Sequence, residues 1–152
     1  MDYEVRVPFP QADDFEKVVK IINIEEEQKI KDTKYMSVYL EGVSERQVGY
    51  YVNAAIYLGL LTKNKDFSDL GKGIREKNSF LQTASLIQVL LSDRIIGTAF
   101  VLRRLMNKSI DRNDVAEMIQ KEYPDYCEDI YIRRAQTVLS WTSWIDNQVK
   151  EE

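Results

Sequence analysis

The sequence predicts a mostly α-helical fold, a tandem winged helix-turn-helix with one small β-ribbon wing. Three observations predict it. Apolar residues recur at helical spacing through most of the chain. Glycine and proline are scarce, 6 and 3 among 152 residues, which leaves room for long helices. Between residues 33 and 67 a helix, a turn, a capped helix and a short ribbon follow one another, the order of a winged helix-turn-helix.

Residues 3–10 alternate and contain Pro8 and Pro10, so they read as an extended lead-in with one edge strand at most. From Asp13 onward Phe15, Val18, Val19 and Ile22 take helical spacing, and that helix ends between Asn23 and Glu27. Glu25-Glu26-Glu27 reads as a solvated face or loop. A short helix fits Thr33 to Leu40, with Tyr35, Met36, Tyr39 and Leu40 inward, and stops at Glu41-Gly42, where glycine suits a left-handed C-terminal position. Ser44-Glu45-Arg46-Gln47 is a capping box: the hydroxyl accepts from the Gln47 N–H and the amide returns to Ser44. The helix it opens runs to about Leu58, with Val48, Tyr51, Val52, Ala55 and Leu58 on one stripe.

Residues 59–67 form the expected ribbon, tipped by Asn64-Lys65-Asp66, and Ser68 caps a helix that begins Asp69-Leu70-Gly71. Residues 78–107 are helical by pattern. Phe80, Leu81, Ala84, Ile87, Leu90 and Leu91 make one apolar stripe there. Ser92-Asp93 is a break and cap, and Ile96, Ala99, Phe100, Arg103 and Met106 continue beyond it. Asp111 caps a helix through about Tyr123, and Pro124-Asp125-Tyr126 is a loop. A last helix spans about Tyr131 to Gln148, with Ala135, Val138, Thr142, Ile145 and Val149 inward and at least one of Trp141 and Trp144 in the core. The division is a winged-helix module at 1–75 and a helical helix-turn-helix module at 76–152, or one compact unit.

Helix 111–122, loop and helix 131–148 repeat the first half of the 33–67 pattern. A shift of 87 residues pairs Arg46 with Arg133, Gln47 with Arg134, Tyr51 with Val138, Ala55 with Thr142 and Leu58 with Ile145. A true duplication and a chance recurrence of helices joined by short turns both fit. The second copy has no wing.

Composition narrows the function. Apolar residues are 44% and charged residues 30%, ordinary for a soluble globular protein and unlike a disordered chain. With no histidine, His-based acid–base chemistry, serine and cysteine triads and most zinc sites are excluded. The single cysteine, Cys127, forms no internal disulfide, and the acidic N-terminus is unlike a secretion signal, so the cytoplasm is expected. No apolar run approaches a membrane span. The net charge is −4 and the pI about 5.1, which excludes a uniformly basic nucleic-acid binder but leaves a local basic face open. No metal, cofactor or catalytic set is expected. Pro124-Asp125 with Glu128-Asp129 lacks the lysine and the spacing of a metal nuclease, and Leu70-Gly71-Lys72-Gly73 lacks phosphate-loop spacing.

Two helices carry the candidate residues. On the first, Arg46, Gln47, Tyr50 and Asn53 point outward, with Tyr57 on the same side. Arg and Gln or Asn pair bidentately with base edges in the major groove, and Tyr and Asn hold phosphates. Lys63 and Lys65 on the ribbon add phosphate contacts. The alternative is an ordinary exposed helix. On the second, Arg133, Arg134, Gln136, Thr137 and Ser140 share a basic, polar face. It follows residues 111–130, which hold seven acidic and two basic side chains. The alternative is a packing helix whose arginines pair with those carboxylates.

The run 44–61, Ser-Glu-Arg-Gln-Val-Gly-Tyr-Tyr-Val-Asn-Ala-Ala-Ile-Tyr-Leu-Gly-Leu-Leu, followed by Phe67-Ser-Asp-Leu-Gly-Lys-Gly73, resembles winged-helix modules attached to type II restriction endonucleases. So does 133–145, Arg-Arg-Ala-Gln-Thr-Val-Leu-Ser-Trp-Thr-Ser-Trp-Ile. The resemblance covers about residues 12–147. It implies double-stranded DNA recognition in a restriction-modification or phage-defence setting, without catalysis by this chain. Arg46, Gln47 and Asn53, then Arg133, Arg134 and Gln136, would read bases, and Lys63, Lys65, Tyr50, Thr137 and Ser140 would contact phosphate. Gly49 in the recognition helix, the missing second wing and the acidic balance are departures. They favour the alternative, a protein-interaction module docking a nuclease, methyltransferase or ATPase of such a system. A homodimer would double the contact area, although no coiled-coil heptad argues for it.

Overall fold

A computed structural model describes residues 7–149. Those residues are mostly helical: α1 (Phe15–Ile22), a 3-10 helix (Glu27–Lys31), α2 (Thr33–Tyr39), α3 (Glu45–Tyr57), α4 (Asp69–Arg75), α5 (Ser79–Ser92), α6 (Arg94–Phe100), a π-helical turn (Val101–Leu105), α7 (Arg112–Glu122) and α8 (Glu128–Val149). Polar caps set the starts. Asp14, Asp32, Ser44, Ser68, Asn78, Asp93 and Asp111 each accept from a first-turn N–H. The capping box at Ser44 and Gln47 is complete, and Asp111 with Asp114 forms a second. Gly42 takes the left-handed backbone at φ 82°, which begins one residue earlier at Glu41 with φ 67°.

The core is continuous across the two halves of the chain. Phe15 of α1 meets Trp141 edge-on at 5.2 Å and Trp144 at 4.5 Å between ring centroids, and both indoles are buried. Each indole N–H is satisfied: Trp141 donates to the Ala12 carbonyl and Trp144 to Glu16, both at 2.7 Å. The expected inward stripe of α3 is buried throughout, and so are Ala135, Val138, Thr142 and Ile145 of α8. Under the 87-residue shift these buried positions coincide. The helices before them do not, because α2 shifted by 87 falls across the end of α7 and the loop after it.

Several expectations are corrected. The ribbon is reduced to one antiparallel bridge, Leu61 to Phe67, and no strand forms among the described residues. The reason is local: Ser68 N–H already donates to the Leu60 carbonyl, and α4 lies so close that a Cβ on Gly71 would stand 2.0 Å from that oxygen. No length remains for a ladder. The lead-in carries no regular secondary structure over 7–14, which the expectation of one edge strand at most allows, and its first residues lie outside the described range. Glu25, Glu26 and Glu27 are all exposed, as a solvated face requires, and Glu27 opens a 3-10 helix. Helix α8 begins three residues early, at Glu128, and Val149 at its end is exposed.

The largest correction is in α5. Phe80, Leu81 and Leu91 are exposed, and the buried face holds Gln82, Ser85, Leu86 and Leu90. Gln82 exchanges two 2.9 Å hydrogen bonds with Asn23, and Lys77 donates to the Ser85 hydroxyl at 2.7 Å. Polar groups with partners tolerate burial, so the helix turns them inward. Beyond α6 the helix loosens into the π turn, and Met106, which caps its end, is exposed. Tyr35 of α2, expected inward, is also exposed.

Candidate nucleic-acid interface

The N-terminal halves of α3 and α8 face each other across a cleft of about 330 Å³. Gln47, Tyr50 and Tyr51 form one wall, Ile132, Arg133 and Gln136 the other. Gln11 and Asp13 come from the lead-in, and Arg112 from the first turn of α7. The lead-in is pinned on both sides. Asp14 N–H donates to the Tyr51 hydroxyl at 3.1 Å, and Ala12 N–H donates to the Thr137 hydroxyl at 3.0 Å.

Arg112 and Arg133 are in no ion pair among the described residues. The carboxylate lining the cleft is Asp13, and it accepts the Thr137 hydroxyl proton at 2.8 Å. Two guanidiniums therefore share the cleft with one engaged carboxylate. Burial, with Asp13 and Asp14 close by, pushes the Tyr51 phenol above its ordinary value, so it stays neutral there.

The sequence candidates separate into three groups. Gln47, Tyr50, Arg133 and Gln136 converge in the cleft. Arg46 stands beside it, its Nε donating to the Tyr50 hydroxyl at 2.8 Å. The Gln47 carbonyl oxygen accepts the Ser44 N–H at 3.1 Å, so only its NH₂ is free, and bidentate adenine reading would break the cap. Asn53 is exposed two turns along α3. Lys63 and Lys65 follow the far end of the helix, about 18 Å along the axis from Arg46, and the structure does not bring them to the cleft. Tyr57 is committed elsewhere, donating to Asp93 at 2.5 Å.

The face expected at 133–140 is split. Thr137 is fully buried with its hydroxyl used twice, so its expected phosphate contact is corrected. Ser140 accepts from Gln136 at 3.1 Å and lines a second groove with Asp13, Asp14 and Glu16, whose charge opposes a phosphate. Arg134 leaves the cleft and lies 4.2 Å over the Tyr126 ring, its Nε and Nη1 buried without an acceptor. Neither it nor Arg133 pairs with the acidic segment before α8. Arg112 carried no sequence signal, being 65 residues from Gln47 and beside an acidic cap.

A family described as a domain of unknown function, DUF7226, matches residues 17–150. The chain belongs to the DUF7226 family. No curated protein and no solved structure matches it. The DUF7226 region includes the α3, α7 and α8 sides of the cleft, while Gln11 and Asp13 precede it. Among the described residues of this DUF7226 chain, no group of three acidic or cysteine side chains is placed to hold a metal ion. No single described helix is long and apolar enough to cross a membrane.

Proposed function

We propose that this protein binds double-stranded DNA without cutting it, with the α3–α8 cleft and its rim as the contact. The observation that carries the reading is the convergence of Arg112 and Arg133, both free of ion pairs among the described residues, with the amide of Gln136 in one cleft of an acidic chain. A cleft of this size takes one phosphate, not a duplex. The backbone would seat a phosphate between the arginines while Arg46 and Asn53 lie along the rim toward the groove. The helix-turn-helix reading makes α2 and α3 the first unit, with the 61–67 turn as a reduced wing, and α7 and α8 the second.

Fluorescence anisotropy with a random-sequence duplex pool, at low and near-physiological salt, tests it. Arg112→Ala and Arg133→Ala are each expected to lower the salt slope by about 1. Arg134→Ala is expected to leave the slope unchanged, because its guanidinium lies on Tyr126. Absence of binding at low salt, or an unchanged slope in both cleft variants, refutes the reading.

A second reading rests on the groove lined by Asp13, Asp14 and Glu16. It would dock a basic segment of a restriction-system protein. Co-purification that Asp14→Asn and Glu16→Gln abolish, with no DNA shift, would favour it.

A further inference from the structure

Helix α5 has no charged residue in its 14 positions, yet a large part of it faces outward. Phe80 is 82% exposed, and Ala84 and Leu91 are exposed on the same stripe, with Ile87 half-buried between them. Spacings of four, three and four residues keep these side chains in one row, about 16 Å long. At the Leu91 end the row opens into a mostly apolar hollow of about 430 Å³, walled by Leu91, Phe100, Val101 and Leu105, with Asp93 and Arg94 also on its lining. One end of the row thus carries a protruding phenyl ring and the other end an apolar recess.

We propose that α5 pairs antiparallel with α5 of a second copy, about a two-fold axis near the middle of the helix. In that arrangement Phe80 of each copy meets Leu91 of the other and enters its hollow, and Ala84 meets Ile87. A knob and a recess on one row, equidistant from its centre, are what a self-complementary two-fold interface requires. Charge agrees. A two-fold axis brings like groups together, and a helix without charges has none to repel. The flanking cations are engaged within their own copy, Lys77 with Ser85 and Arg94 with Glu122. The area also agrees. Phe80, Leu81, Leu91, Val101, Leu105 and Met106 leave on the order of 600 Å² per copy uncovered, against about 800 Å² per partner in a standard interface. An apolar surface of that size is at the upper end of what monomers ordinarily show to water.

The test is light scattering on the full chain across a range of concentrations. The expected mass is about twice 17.8 kDa for the wild-type chain. Phe80→Asp is expected to weaken the dimer at least tenfold while leaving the helical circular dichroism unchanged, because residue 80 has almost no internal contact to lose. In a Cys127→Ser background, Phe80→Cys with Leu91→Cys is expected to give a covalent dimer on mild oxidation, and either cysteine alone no covalent cross-link. A monomeric mass at every concentration overturns the pairing, as does a dimer indifferent to Phe80→Asp or one cross-linked by a single cysteine. A monomer that floats with phosphatidylcholine vesicles also overturns it and gives the face to a lipid surface.

Discussion

Thr137 and Arg134 are neighbours on one face of the sequence pattern, yet their surroundings give them opposite roles. Thr137 bridges the Ala12 N–H and the Asp13 carboxylate inside the core. Thr137→Val keeps the shape and strands both partners, so it should destabilise the fold by about 1–3 kcal/mol in urea titration. On the proposed DNA-binding reading, the affinity of the folded fraction should stay as it was. Arg134 has two buried donors without acceptors, at a cost of about 1–3 kcal/mol each, against about 0.5–2 kcal/mol returned by stacking on Tyr126. Arg134→Met, which keeps much of the apolar contact, should therefore raise the melting temperature, by about 1 kcal/mol of stability or more. A lower melting temperature would contradict that balance.

At the scale of elements, the segment from Leu60 to Gly71 shows how tightly a turn can be held. An alanine at position 71 would drive its Cβ into the Leu60 carbonyl, so Gly71→Ala should cost about 3 kcal/mol, read from the denaturation midpoint. The helices of the chain were legible because caps and apolar spacing agree at their starts, as at Ser44 and Asp111. The face of α5 was not. With no charge on the helix, both sides are apolar enough to be core, and periodicity names the residues that share a face without saying which face is inward. Partners supplied by Asn23 and Lys77, distant in sequence or outside the helix, decide it. The wing was misjudged for a similar reason, since the close approach of α4 is invisible in residues 59–67 themselves. Of the cleft, the two walls could be anticipated from composition, whereas Arg112 and the lead-in reach it only through the tertiary fold.

At the scale of the whole molecule, three phenols among the described residues hold their protons more tightly in the folded chain than the ordinary value of 10.0. Burial is the main cause for each, and for Tyr57 the hydrogen-bonded Asp93 carboxylate adds to it. The folded state therefore binds more protons than the unfolded state once unfolded tyrosines ionise. This contribution to stability is complete below pH 10.0 and lost as pH rises through the folded values. The urea midpoint should fall above that pH, and Tyr57→Phe should flatten the fall. A midpoint that holds steady would show that the phenols are not shielded as the structure has them.

The pinned lead-in has a consequence for how the chain is made. Ala12 and Phe15 leave the ribosome well before Thr137, Trp141 and Trp144, which hold them. During synthesis the surface of α1 that will meet the indoles stays wet, whatever α2 and α3 have already formed around it. Closure waits for α8, so a nascent chain halted before α8 should expose its early apolar residues to chaperones, and protection from protease should arrive in one step once α8 has emerged.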